Sequence, residues 1–406
     1  MPPRPRRRPS DRTTRARLAS VLALCLVAVG STSTLPPASA HEGAADPAHA
    51  YYGILGANAL DLTTLTGTGV TAVSLEVGWD RLEPQRGRVD PVYAAQVADR
   101  AEQIRAAGLD VILDAGLQYP PSWVFDVGGD TRFVNQYGDV WQGQVGARVP
   151  DAVFNPRVRR AQNRYLHRLS AVLDDGPIAA IRVGGLWYNE LHYPPATVGD
   201  HRNSLWAFSP TAQAQSPVPG YRPGQGTTEE TAAFLTWYLE EINDYGMWQL
   251  RHYRRAFGWR PTLQLLLPGW GVRPGDVDKA VAGGLRGATR GELTGALNEG
   301  LDWAGLLPRA ATVRGHNEAY TTWVDAADQG TDPVYESPVR HLVRLAEPLG
   351  LPVAGENTGT NSPEEMQRSV DRVHELGLTG LVWMNAAQLQ DGRWATLDDY
   401  RRLLAP

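Results

Sequence analysis

Short apolar runs recur along this chain, and most are followed by a stretch with helical spacing. Eight can be counted: Tyr51–Asn58, Val70–Trp79, Asp110–Leu117, Ile178–Trp187, Pro261–Pro268, Ala311–Gly315, Pro352–Gly355 and Gly380–Met384. Several are apolar at consecutive positions, as in Val111-Ile-Leu and Leu263-Gln-Leu-Leu-Leu, which suits strands covered on both faces and hence a parallel sheet. Between them, Val92–Ala107 carries apolar residues at helical spacing and stops at Gly108. Thr228–Phe257 is the longest such stretch and opens Thr-Glu-Glu, while Pro363–Leu376 starts after Ser362 with proline in its first turn. Eight alternations of this kind predict an α/β fold, a single (β/α)8 barrel over residues 51–406. A doubly wound nucleotide-binding sheet would need a glycine-rich turn, and neither GxGxxG nor GxxxxGK[ST] occurs.

Two connections are long, Gln118–Arg157 after the third run and Leu191–Thr227 after the fourth. In a barrel both rise at the C-terminal face of the strands, where active sites of this fold are built.

The first 40 residues read as an export signal. Seven arginines lie between Arg4 and Arg17, an apolar core runs Leu18 to Val29, and Ala38-Ser39-Ala40 has the small-residue pattern of a cleavage site. The apolar core is too short to span a bilayer. Cleavage near Ala40 and secretion are expected, with His41–Ala50 as a flexible leader. Taking seven arginines and one aspartate from the chain's 39 basic and 44 acidic residues leaves a net charge of −11. Nucleic acid and anionic membrane surfaces are poor partners for such a chain. The single cysteine, Cys25, leaves with the signal, so neither disulfides nor thiol chemistry are expected. The nine histidines are scattered and HExxH is missing, so no metal and no cofactor is expected. A GxSxG elbow is missing too, which argues against a serine hydrolase.

The chemistry is expected from carboxylates. Glu190 and Glu356 each stand just past an apolar run, where a carboxylate is costly to desolvate unless it lines an open cleft. They lie 166 residues apart, so only the fold can pair them. Paired carboxylates across a cleft cleave glycosidic bonds. Asn189, beside Glu190, is a candidate to hold a sugar 2-hydroxyl. A second Asn-Glu occurs in Gly315-His316-Asn317-Glu318-Ala319-Tyr320, just past the sixth run. Glu318 is therefore a competing carboxylate, with His316 and Tyr320 as groups that could orient a neighbour. Trp79, Trp123, Trp187 and Trp383 stand at run ends and are candidate platforms for pyranose faces, whereas Trp237, Tyr238 and Trp248 are expected in the core of the long helix.

These residues resemble the retaining clan A (β/α)8 glycoside hydrolases, within them the family 42 β-galactosidase type. The likeness rests on Trp79-x3-Glu83-Pro84-x2-Gly87-x2-Asp90, on Gly108-Leu with Pro120-Pro121-Ser-Trp123, on Asn189-Glu190, on Glu356 and on Trp383. The resemblance implies Glu190 as acid/base and Glu356 as nucleophile of a β-glycosidase acting on oligo- or polysaccharides. Glu190-Leu-His-Tyr-Pro, Gly355-Glu356-Asn357 and Phe234-Leu-x-Trp237-Tyr238 are also similar to segments of β-amylases, in which the same two positions work with inversion. Asn189, where β-amylases carry glycine, favours the retaining reading. From a different class, a carbohydrate-binding barrel without catalysis remains as an alternative.

Overall fold

Eight parallel strands close into a barrel: β1 Tyr51–Ile54, β2 Ala72–Glu76, β3 Asp110–Asp114, β4 Ala180–Val183, β5 Thr262–Leu267, β6 Asn317–Thr321, β7 Val353–Glu356 and β8 Gly380–Trp383. Each pairs with the next, and β8 returns to β1 through Gly380 beside Tyr51 and Trp383 beside Ile54. This computed structural model describes residues 50–143, 148–287, 295–359, 362–392 and 394–404; the export signal and all but the last residue of the leader lie outside them.

The helices begin where the sequence signals do. Asp90 caps α1 (Pro91–Ala106) by accepting from the Val92 and Tyr93 amides, both at 2.9 Å. Asn155 does the same for α2 (Pro156–Val172). Reciprocal capping boxes open α3 (Thr228–Phe257) with Thr227 and Glu230, and α6 (Pro363–Leu376) with Ser362 and Glu365. Between them come α4 (Trp303–Ala310) and α5 (Pro338–Ala346), and α7 (Leu397–Leu403) ends the described chain.

Side chains alternate along the strands. Ala72, Ile112, Ala180, Leu266, Tyr320, Ala354 and Val382 fill the barrel, and Val73, Leu75, Val111, Leu113, Ile181 and Leu263 pack outward under the helices. Both layers are buried, which is why the runs read as continuously apolar.

One strand differs from its expected place. Ala311–Gly315 is the exit from α4, and β6 is the following segment, Asn317-Glu-Ala-Tyr-Thr321. Its inward residues, Glu318 and Tyr320, are satisfied by other polar groups inside the barrel. An apolar-run criterion passes over such a strand.

The two long connections interlock over the C-terminal face. Val134 accepts from the Phe208 amide, and Gln136 bonds the Asn203 carbonyl and the Leu205 amide. The Asn135 carboxamide donates to Ser204 Oγ at 3.0 Å and to Asp139, and accepts from the amides of Tyr137 and Asp139. His201 Nδ1 meets Asp139 at 2.6 Å with Tyr137 stacked on its ring, and Asp130 accepts from the amide and hydroxyl of Thr211.

Candidate active site

The chain leaves β4 through Gly184 and Gly185 and folds back at once into the turn Trp187–Asn189. A Cβ on Gly184 would lie 1.9 Å from the Asn189 carbonyl oxygen, so the doubling back needs glycine there. The Asn189 carboxamide pins the turn: its oxygen accepts from the Gly185 amide at 2.9 Å and its nitrogen reaches the Arg182 carbonyl at 3.5 Å. Glu190 follows directly, partly open to solvent. His192 Nε2 lies 3.4 Å from a Glu190 oxygen and 3.2 Å from the Trp187 carbonyl. Burial of His192 works against its charged form, but the Glu190 contact and the nearby Glu190 and Glu299 carboxylates outweigh it and raise its pKa.

Glu356, the last residue of β7, forms the floor. Arg182, on β4, holds it with two parallel bonds, Nη1 to Oε2 at 2.5 Å and Nη2 to Oε1 at 3.2 Å. The Tyr320 hydroxyl donates to Oε2 at 3.0 Å. Burial pushes the Glu356 carboxyl up, Arg182 opposes this, and the charge of Glu190 adds to the rise. Glu190 therefore lies within electrostatic reach of Glu356. Two further carboxylates face the same floor. Asp114 ends β3, accepts from the Gly116 amide and from Gln118, and lies 4.0 Å from Arg182 Nε. Glu76 ends β2 and accepts from the Gly56 amide at 2.8 Å and from Ser74 at 3.1 Å; burial, then the charge of Asp114, raises its pKa.

No protein-family model matches the sequence, and no curated protein matches it either. Solved structures do match. The catalytic domain of a β-amylase from Paenibacillus polymyxa aligns with a TM-score of 0.64 at 16% identity, covering 87% of this chain and 97% of that one. A β-galactosidase from Marinomonas ef1 aligns at 0.55 and 12% identity, covering 87% of this chain and 59% of that one. One from Halorubrum lacusprofundi aligns at 0.56 and 12%, covering 87% and 57%. What the chain shares with them is the fold, a closed barrel of eight parallel strands. The chain spans less than three fifths of either β-galactosidase.

The other residues singled out in the sequence divide sharply. Tyr320 reaches the floor and orients Glu356. Trp187 stands beside the Glu190 turn, its ring 5.6 Å from that of His192. Asn189 does not face the cleft, because it is fully buried with its carboxamide committed to the turn. Trp79 is also fully buried, stacked on Tyr165 at 4.9 Å and edge-on to Trp123. Its indole donates to Glu83, which also accepts from the Gly87 amide and Arg168, while Trp123 donates to the Glu83 carbonyl. The Trp79-to-Asp90 motif therefore builds a turn and a helix cap. Trp383 is fully buried on the outer side of β8, against Tyr400. His316 precedes β6 at the opposite end of the barrel, exposed, with its carbonyl bonded to Leu263 and Arg254. Glu318 lies deep in the barrel, accepting from Tyr51 at 2.9 Å, Gln264 at 3.0 Å and Thr379. It is a buried acid whose carboxylate is engaged by these three donors.

Arg182, Asp114, Glu76, His192 and Glu299 were not singled out from sequence. Arg182 had a readable signal: a lone arginine inside an apolar strand run demands a buried anion.

Proposed function

We propose that the protein is a glycoside hydrolase that cleaves β-glycosidic bonds, with Glu190 and Glu356 as its two catalytic carboxylates. The observation that carries this reading is the contrast between them. Glu356 is clamped at the floor by Arg182 and Tyr320, and Glu190 stands above it on the β4 turn, close enough for its charge to be felt. The Arg182 clamp favours an ionised, fixed Glu356, the state a nucleophile needs. Glu356 attacks the anomeric carbon while Glu190 protonates the glycosidic oxygen; Glu190 then deprotonates the water that releases the sugar. Glu190→Gln and Glu356→Gln are each expected to lower kcat by a factor on the order of 10^2–10^4; the unfolding transition should stay unchanged in Glu190→Gln and fall in Glu356→Gln, which leaves the buried Arg182 without its charged partner. Near-wild-type turnover by either variant would remove that residue from the mechanism.

A second reading, inversion with Glu356 as general base, is favoured by two observations. Asn189 is turned away from the cleft, which removes the local argument for retention, and the chain matches nearly the full length of the β-amylase catalytic domain. NMR of the first-formed anomer separates the two. Under the retaining reading a β-galactoside is the most specific substrate supported, and a screen of nitrophenyl glycosides and polysaccharides tests it. Binding of oligosaccharides without turnover across that panel would point to a non-catalytic barrel instead. We also propose that residues 1–40 direct secretion and are removed, which predicts a mature N-terminus at His41 by mass spectrometry.

A further inference from the structure

Tyr188 combines two features that rarely occur together. Its backbone is left-handed, at φ 55° and ψ 22°, a region bulky side chains avoid. The residue is 62% exposed, and the left-handed turn it shares with Asn189 (φ 63°) is pinned by the Asn189 carboxamide, not by burial of the Tyr188 ring. The ring instead caps a column of aromatics. Trp206 and Trp141 are buried in the interlocked loops, with centroids 5.7 Å apart; Trp141 meets Trp187 at 5.9 Å, and Trp187 stacks on Tyr188 at 4.7 Å and 25°. The column runs from the loop interior to solvent and ends two residues before Glu190.

We propose that Tyr188 is the platform for the leaving-group sugar, a specificity-determining residue for pyranose-linked substrates. The inference rests on the glycosidase reading above and deepens it. Glu356, Asp114 and Glu76 crowd the floor, so the sugar that is attacked sits deep among polar groups. The proton from Glu190 goes to the oxygen on the outer side of that sugar, and the unit beyond the oxygen leaves toward the mouth. Tyr188 is the exposed ring on the Glu190 turn, backed by Trp187, which fixes its plane. An apolar ring face there covers the C–H face of a pyranose, and the phenol stays in water.

The test compares substrates that differ only in the leaving group. Lactose, cellobiose and xylobiose are each assayed beside the matching β-glycosyl fluoride, whose leaving group has no ring to stack. Tyr188→Ala is expected to lower kcat/KM roughly tenfold on the disaccharide that the wild type cleaves and to leave the fluoride unchanged. Tyr188→Phe should behave as wild type on both. Tyr188→Gly, which suits the left-handed backbone, should lose the same disaccharide activity while unfolding at or above the wild-type temperature. Equal losses on disaccharide and fluoride, no loss on either, or a lower unfolding temperature for Tyr188→Gly would overturn the platform while leaving the glycosidase reading intact. Turnover of none of the six substrates by the wild type would overturn the platform for these pyranose leaving groups, while the glycosidase reading stands or falls on the nitrophenyl glycoside and polysaccharide screen.

Discussion

Replacing Arg182 by methionine would leave Glu356 a desolvated carboxylate held only by the Tyr320 hydroxyl. Removing one partner of a buried pair costs about 3–5 kcal/mol, so a marked drop in the urea midpoint is expected. The kinetic sign follows from the same geometry. Arg182 holds the Glu356 pKa down against burial, so its loss lets that pKa rise. A nucleophile must be ionised, and the acidic limb of kcat/KM should therefore move to higher pH in Arg182→Met and less in Arg182→Lys; an unmoved limb would argue against Glu356 as the ionised partner. Asp151 offers a second test at this scale. Its carboxyl is fully buried, one oxygen accepts from the Phe154 amide at 2.8 Å, and burial raises its pKa to about 7. Between about pH 4 and about 7 the folded chain holds a proton that the unfolded chain has lost, so stability falls as pH rises through that window. Asp151→Asn removes the titration. Its advantage should grow across the window and level off above it, at roughly 1–3 kcal/mol by urea unfolding; a constant difference at all pH values would contradict the assignment.

At the level of the elements, the sequence was most readable where apolar periodicity and capping agreed. Ser362 and the Thr-Glu-Glu opening at Thr228 marked helix starts that the fold uses, and seven of the eight strand runs overlap observed strands. β6 was missed because its interior positions carry Glu318 and Tyr320, and only the closed barrel supplies Tyr51, Gln264, Thr379 and Glu356 as their partners. The same blindness hid the floor. Glu190 and Glu356 were visible as carboxylates past strand ends, whereas the direction of Asn189, Trp79 and Trp383 depends on how each strand end turns. Glycine governs one of these turns after β3. Gly116 has φ 68°, and a Cβ there would come within 1.7 Å of the Val77 carbonyl oxygen. Gly116→Ala is expected to cost about 2–4 kcal/mol and to displace Asp114 from Arg182, lowering both the unfolding temperature and activity. An unchanged unfolding temperature would mean that the β2–β3 exit is looser than described.

Over the whole molecule, the barrel fixes strand ends, and the connections after β3 and β4 supply most of what stands above them. Those connections are bonded to each other through Asn135, Gln136, Asp139, His201 and Thr211. The β4 connection is tied onward, Asn203 bonding the Leu285 carbonyl and the Asn298 carboxamide. Asn135→Ala removes the buried carboxamide at the junction. Limited proteolysis of that variant should cut in both connections, 118–155 and 191–227, at comparable rates; cleavage confined to one would show that they open independently.

Modularity is the consequence. Because neither connection has a complete set of partners on its own, a library that diversifies one of them, or a graft that borrows one from another barrel, strands the polar groups of the other. The inheritable unit of substrate preference in this scaffold is the two connections together, and an engineer or a lineage that changes what the barrel accepts has to move them as a pair.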